Sequence, residues 1–329
     1  MEPVSDAPVV ATVTRSGVVE STHRGIVAGL DAQGRRTVAI GPVEQPVFGR
    51  SSNKPLQAVA MVQAGLGVRG ELLALVAASH SGEPFHIEGV RRLLEIAGLD
   101  ERSLGCPVAP PLGSGAHDAL LRAGQEPGRV HMNCSGKHAG MLITCVVNGW
   151  PTDGYLEVDH PLQRHITDAI GALAGEPITV VGVDGCGAPV HALSMHALAH
   201  AFRAIAVAES DTPAGAVAAA IRRHPLWVGG TGRDVTRLLE AIPGLVAKDG
   251  AEGVYAAAAA DGRAVALKIV DGSARARVPV LLAALGALGL EVPAATDVAD
   301  VTVLGGGRPV GAVEAVEAVA AVEEGQPSP

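Results

Sequence analysis

Strand-forming sequence occupies both ends of this chain, and helix-forming sequence fills the long stretch between them, a distribution that few folds accept. Near the start, Pro8 to Thr14, Gly17 to Ser21, Ile26 to Leu30 and Thr37 to Ile40 are rich in strand formers, and Asp31-Ala32-Gln33-Gly34 supplies a turn. Late in the chain come Leu245 to Lys248, Gly253 to Ala259 and Arg263 to Val270, separated by Asp249-Gly250 and Asp261-Gly262, dipeptides that favour tight hairpins. Between these sets, apolar periodicity predicts helices at Lys54–Ala64, Glu71–Ala78, Ile87–Ala97, Asp118–Ala123, Ser135–Val147, His160–Leu173, His191–Val207, Ala214–Arg223 and Asp234–Ala241. One more helix is predicted at Ala276–Leu288, and a buried strand at Ile178–Val183. Hairpin-linked strands pair antiparallel, and two sets so far apart in sequence share a core most simply by joining one sheet. The expected class is therefore α+β, with a sheet built from about 8–42 and 245–272. The helical region, about 51–243, forms a central lobe, and the whole of 1–329 is read as one domain. The tail from Val310 to Pro329 repeats Ala-Val-Glu and is assigned no role beyond a frayed end.

Composition narrows the function. A net charge of -9 and the absence of any basic block argue against nucleic acid as a partner. Aromatic residues make up only 2% of the chain, so stacking platforms for bases or sugars are scarce. The first fifteen residues hold acids and prolines but no apolar run, and Val278 to Leu290 is too short to span a bilayer. The expectation is a cytoplasmic protein with no membrane partner. Four widely spaced cysteines, at 106, 134, 145 and 186, then favour buried thiols, metal ligands or a nucleophile over disulfides.

Four polar segments carry the chemistry. In Ser51-Ser52-Asn53-Lys54, serine and lysine stand three apart at the mouth of a helix, with Pro55 in its first turn. A lysine held neutral there can take a hydroxyl proton and make serine a nucleophile. An N-cap at Ser52 with a surface Lys54 accounts for the string equally well. Ser79-His80-Ser81-Gly82-Glu83 follows an apolar helix, and Asn133-Cys134-Ser135-Gly136-Lys137-His138 opens another. Asp184-Gly185-Cys186-Gly187 ends a strand in a tight turn, where side chains or amides face a ligand.

These segments, with Leu267-Lys268-Ile269-Val270-Asp271-Gly272, stand in an order and at spacings that resemble the asparaginase II family, the rhizobial-type or class 3 L-asparaginases. Ser21-Thr22-His23-Arg24, Arg222-Arg223-His224-Pro225 and Gly250-Ala251-Glu252-Gly253 extend the resemblance, which covers roughly residues 9 to 290. It implies a serine-β-lactamase/glutaminase-like fold with two serine-lysine tandems, matching Ser51 with Lys54 and Ser79 with Lys268. It also implies a zinc ion held by Cys134, Lys137 and Cys186, a pocket shaped by Arg50, His138 and Asp184, and a homodimer. Spacing alone does not identify that metal site.

On this reading the substrate is L-asparagine. Ser51 attacks the side-chain amide, Lys54 takes its proton, and an aspartyl-enzyme ester forms and is hydrolysed; Lys268 tunes Ser79 and relays protons. Rival readings are a glutaminase, a β-lactamase- or peptidase-like serine hydrolase, and a zinc-stabilised binding protein without catalysis. Cys186 with His138 as base is a further option that leaves both serine-lysine pairs idle. His196 and His200 mimic a zinc-protease helix, but Ala197 stands where that motif needs glutamate, so they read as ordinary helix histidines.

Overall fold

The computed structural model describes Val4, residues 6–292 and residues 296–321. Its strands are β1 (Val9–Arg15), β2 (Val18–Leu30), β3 (Arg36–Ile40), β4 (Val47–Phe48), β5 (Val181–Val183), β6 (Pro189–Leu193), β7 (Val246–Asp249), β8 (Val254–Ala258), β9 (Ala264–Ile269), β10 (Val301–Gly305) and β11 (Arg308–Ala315). The helices are α1 (Lys54–Gln63), α2 (Gly70–Val76), α3 (Pro84–Ile96), α4 (Ser114–Arg122), α5 (Ser135–Asn148), α6 (Pro161–Ala174), α7 (Met195–Ala206), α8 (Pro213–Arg223), α9 (Pro225–Val228), α10 (Asp234–Ala241), α11 (Arg277–Ala287), α12 (Thr296–Ala299) and α13 (Glu317–Ala320). The chain forms two compact units. One comprises residues 1–52, 193–207 and 237–329; the other comprises 53–192 and 208–236.

The first unit is built on an antiparallel sheet in the order β10-β11-β1-β2-β9-β8-β7, with β3 also on β2. The expected union of terminal strand sets is thus observed. It is made by β2, whose end pairs with β9 in a register that sets Ile26 opposite Lys268. Gly25 lies at this junction. A Cβ there would stand 2.8 Å from both the Lys268 carbonyl oxygen and Val10, so only glycine lets β1 and β9 approach β2 so closely. Every residue of β8 is buried, as are those of β7. Strands this buried need cover, and α7 packs against both while α11 packs against β8.

Three expectations change. Gly17–Ser21 and Ile26–Leu30 are one 13-residue strand, because the polar Thr22-His23-Arg24 stays in the ladder and turns His23 inward. Residues 189–193 are strand rather than helix. His191 pairs with Val181, and the helix starts only after Ser194, whose hydroxyl accepts from Ala197 N. The tail is not idle: β11 pairs with β1, setting Ala11 opposite Ala315, and so covers an edge that would otherwise be open. The tail beyond residue 321 lies outside the described residues.

In the second unit, α1 is buried from Lys54 to Met61 and α5 from Ser135 to Cys145. A helix buried all round is central, and α1, α2, α3 and α6 pack about α5. The contact of α5 with α2 depends on Gly136 and Gly140, one turn apart. A Cβ on Gly136 would come within 2.6 Å of the Leu75 carbonyl oxygen, and one on Gly140 within 2.8 Å of Val76. No helix among the described residues is long and apolar enough to cross a membrane.

Candidate active site

The serine-lysine chemistry begins at α1. Arg50–Asn53 forms a 3₁₀ turn, so Ser51 lies outside the α-helix that Lys54 opens. Lys54 is not a surface lysine; it is 1% exposed, and a buried amine must find partners. Its Nζ donates to the Ala78 carbonyl at 2.6 Å and lies 2.9 Å from Ser79 Oγ. The expected tandems joined Ser51 to Lys54 and Ser79 to Lys268. The observed hydrogen bond links Lys54 to Ser79, across the two motifs.

Ser79 is fixed on all sides. Its amide donates to Val228 O at 3.1 Å, and the His80 amide donates to Asn133 O at 3.2 Å. Ser81 Oγ donates to Gly229 O at 2.9 Å. His80 is fully buried. Its Nδ1 accepts from Gly82 N, leaving Nε2 to donate to Ser135 Oγ at 2.9 Å, and that hydroxyl passes its own proton to Val130 O. Burial, with His86 and Lys54 nearby, holds His80 neutral, well below its usual range.

A second group gathers beside this pair. Lys137, on the first turn of α5, donates to Cys186 Sγ at 3.1 Å, and the Cys134 and Cys186 thiols share a hydrogen bond. Cys134, Lys137 and Cys186 are at most 3% exposed. The hydrogen bond to Cys134 favours the Cys186 thiolate against the cost of burial, and Lys137 and His138 add to it, so Cys186 falls far below its usual range. Cys134 moves the other way, through the same bond and burial. Burial opposes charge on Lys137, but the two sulfurs and Asp184 outweigh it and raise the amine. Asp184 closes the turn after β5: its carbonyl accepts from Gly187 N at 2.8 Å, and Gly187 takes a φ of 86°. Among the described residues no group of three or more His, Cys, Asp or Glu side chains is arranged to hold a metal. A metal here would need the lysine as well. Two converging sulfurs and an amine, with the buried His138 ring against Cys186, are donors that suit zinc.

Sequence reasoning missed Tyr155. Its hydroxyl meets His138 Nδ1 at 2.7 Å and accepts from Gly105 N at 2.8 Å, fixing the ring that faces Cys186. It lies in an irregular segment without periodicity; the one available signal was that the chain has only two tyrosines.

The first unit carries Arg50, Ser51 and Lys268. Ser51 is half-buried, and the adjacent Ser52 Oγ donates to Lys248 O at 3.3 Å. Arg50 adopts a left-handed φ of 51°, and its guanidinium lies 4.0 Å from the Glu252 carboxylate. Lys268 Nζ donates to Glu252 O at 2.5 Å and to Ile269 O at 2.7 Å. His196 Nδ1 accepts from Arg36 at 2.8 Å, beside the Arg36–Glu44 ion pair on the surface, as suits an ordinary helix histidine.

Residues 11–315 match the model of a family described as L-asparaginase II. No curated protein is similar enough in sequence to match. Among solved structures, one described as Mglu in its native form in the presence of 4.3 M NaCl is 14% identical, with a TM-score of 0.37, covering 82% of this chain and 62% of its own. Another, EstCE1, described as a hydrolase with promiscuous acyltransferase activity, is 12% identical with a TM-score of 0.36, covering 88% and 92%. The chain thus spans less than two thirds of the first of these structures, and likenesses this low fix neither fold type nor activity.

Proposed function

Because the chain belongs to the L-asparaginase II family, and with it to the amidohydrolases, we propose that it hydrolyses L-asparagine to L-aspartate and ammonia through a lysine-assisted serine. The observation that carries this reading is the buried hydrogen bond between Lys54 Nζ and Ser79 Oγ. The fold that accords with it is the serine-β-lactamase/glutaminase type.

Ser51 is the proposed nucleophile, since it is half-buried whereas Ser79 is only 4% exposed. Lys54 in its neutral form takes the serine proton, with Ser79 as the hydroxyl that orients the amine and passes the proton on. Attack on the side-chain amide carbon gives a tetrahedral oxyanion. Proton return to the nitrogen releases ammonia, and water cleaves the remaining aspartyl ester. Lys268 supplies a second cation for proton relay, while Arg50, His138 and Asp184 hold the amino-acid end of the substrate. Cys134, Lys137 and Cys186 would hold a zinc ion, which supplies a Lewis acid able to fix a polar group of the substrate. Lys137 must lose its proton to do so. A homodimer remains part of the proposal on family resemblance.

Ammonia release from asparagine, glutamine and β-aspartyl peptides, with a chromogenic β-lactam in parallel, tests the reading. Release from asparagine is the expected result. Turnover of the β-lactam alone would replace it with a penicillin-type hydrolase, and glutamine preferred over asparagine with a glutaminase. Metal analysis of protein purified without chelator is expected to find zinc; protein free of zinc removes the metal assignment.

A further inference from the structure

Three sequence motifs have no part in that mechanism: Ser21-Thr22-His23-Arg24, Gly250-Ala251-Glu252-Gly253 and Asp271-Gly272. The fold brings them together around Lys268. His23, on β2, is 3% exposed, and both its ring nitrogens are engaged. Arg275 Nε can only donate, and it lies 2.9 Å from His23 Nε2, so that nitrogen accepts and the ring proton sits on Nδ1. Nδ1 then donates to Asp271 Oδ2 at 2.7 Å. The other oxygen, Asp271 Oδ1, accepts from Ser273 N at 2.9 Å, and the Val270 amide donates to Arg24 O at 2.8 Å. The turn that follows β9 is therefore pinned to β2 by both side chain and backbone.

That turn governs the Lys268 amine, because one of its two acceptors, Ile269 O, belongs to the same stretch. The other, Glu252 O, comes from the β7–β8 hairpin, where Glu252 holds a left-handed φ of 56°. We propose that Asp271 positions Lys268, and that His23 and Arg275 are the struts that hold Asp271 in turn. The proposal rests on the reading that Lys268 serves the reaction. It accounts for a buried, fully bonded histidine and a half-exposed carboxylate with neither of its oxygens idle, three residues beyond a lysine that must be aimed. The charged groups facing Lys268 are Arg50 from the turn before α1, Glu252 from the β7–β8 hairpin and Asp271 itself. Burial pushes the amine down from its usual value, the two carboxylates push it up and Arg50 pushes it down, with a lowered net result.

The test measures the pH dependence of Lys268 acetylation by acetic anhydride, read by peptide mass spectrometry, in the wild-type chain and in Asp271→Asn. Asparagine at 271 removes the charge and keeps one acceptor oxygen, enough for either His23 Nδ1 or the Ser273 amide. The expected result is a labelling midpoint moved to lower pH by about half a unit or more, with faster labelling at neutral pH. The pH profile of ammonia release should move the same way, a response that a merely structural turn residue would not give. A labelling curve superposed on the wild type overturns the proposal. Should Asp271→Asn fail to fold, His23→Ala, which frees Asp271 from its strut, is expected to move the midpoint in the same direction, and superposition again overturns it. Labelling needs no substrate, so a wild-type protein silent toward asparagine sinks the asparaginase reading while the labelling still decides the role of Asp271.

Discussion

A lysine amine removed from water keeps its place only if hydrogen bonds replace its hydration, and Lys54 has found two such bonds, to Ala78 O and Ser79 Oγ. The pairing makes the two serines separable by mutation. Ser51→Ala is expected to abolish ammonia release while leaving the melting temperature near that of the wild type, because a half-buried hydroxyl at a turn holds little of the fold. Full activity in that variant would transfer the nucleophile's role to Ser79. Ser79→Ala is expected to slow release by roughly 10²–10⁴-fold, the range for loss of a positioned proton-transfer partner. It should also lower stability by about 1–3 kcal/mol, because Lys54 is left with an unmade bond. Denaturant melts beside steady-state rates separate the two effects.

The close contact of α5 with α2 sets where both motifs lie. Lys137 and His138 follow Gly136, and Ser79 follows the C-terminal end of α2, so the spacing of these helices fixes the distance between the thiol group and the serine-lysine pair. Gly136→Ala puts a Cβ within 2.6 Å of backbone, where no rotamer can yield. Overpacking of this kind is expected to cost about 1–3 kcal/mol and to lower kcat more than it raises KM. A Gly136→Ala protein with wild-type melting and wild-type kcat would show that the helices have room to move apart. Strands tell a complementary story. The Ala256-Ala257-Ala258 run has the best helix-forming residue in the repertoire, yet it is strand, because Asp261-Gly262 folds it back on β9 and small side chains let α7 and α11 pack against it.

Stability against acid follows from histidines buried without charge. Burial lowers both His86 and His191 to about 4, with Lys137 adding to the effect at His191 and partly offset at His86 by its bond to Leu226 O. Their ordinary value in an unfolded chain is about 6.5. Above that value both states are neutral and stability is full. As pH falls toward 4 the unfolded chain binds protons that the folded one refuses, so stability is lost with falling pH, by roughly 3 kcal/mol for each histidine. Urea midpoints at pH 7.5, 5.5 and 4.5 are expected to decline in that order. A midpoint unchanged between pH 7.5 and 4.5 would mean that these rings take up protons in the folded protein.

Much of this was legible in residue order. Hairpin dipeptides, alternation and apolar period are local signals, so the α+β class, the joining of terminal strands and most helix positions could be read directly. The candidate residues Ser51, Lys54, Ser79, Cys134, Lys137 and Cys186 stood out because they sit in polar segments that a core does not explain, whereas Lys268, in an apolar strand, was reached only through the family resemblance. Their partners were not legible. Lys54 bonds a serine 25 positions away, His23 an aspartate 248 positions away, and β11 joins β1 across nearly the whole chain. Such pairings depend on which backbones can approach, as at Gly25 and Gly136, and on how a buried polar atom finds the nearest acceptor once water is gone. Sequence thus named the candidate groups for the proposed chemistry, and close packing in three dimensions chose which of them touch.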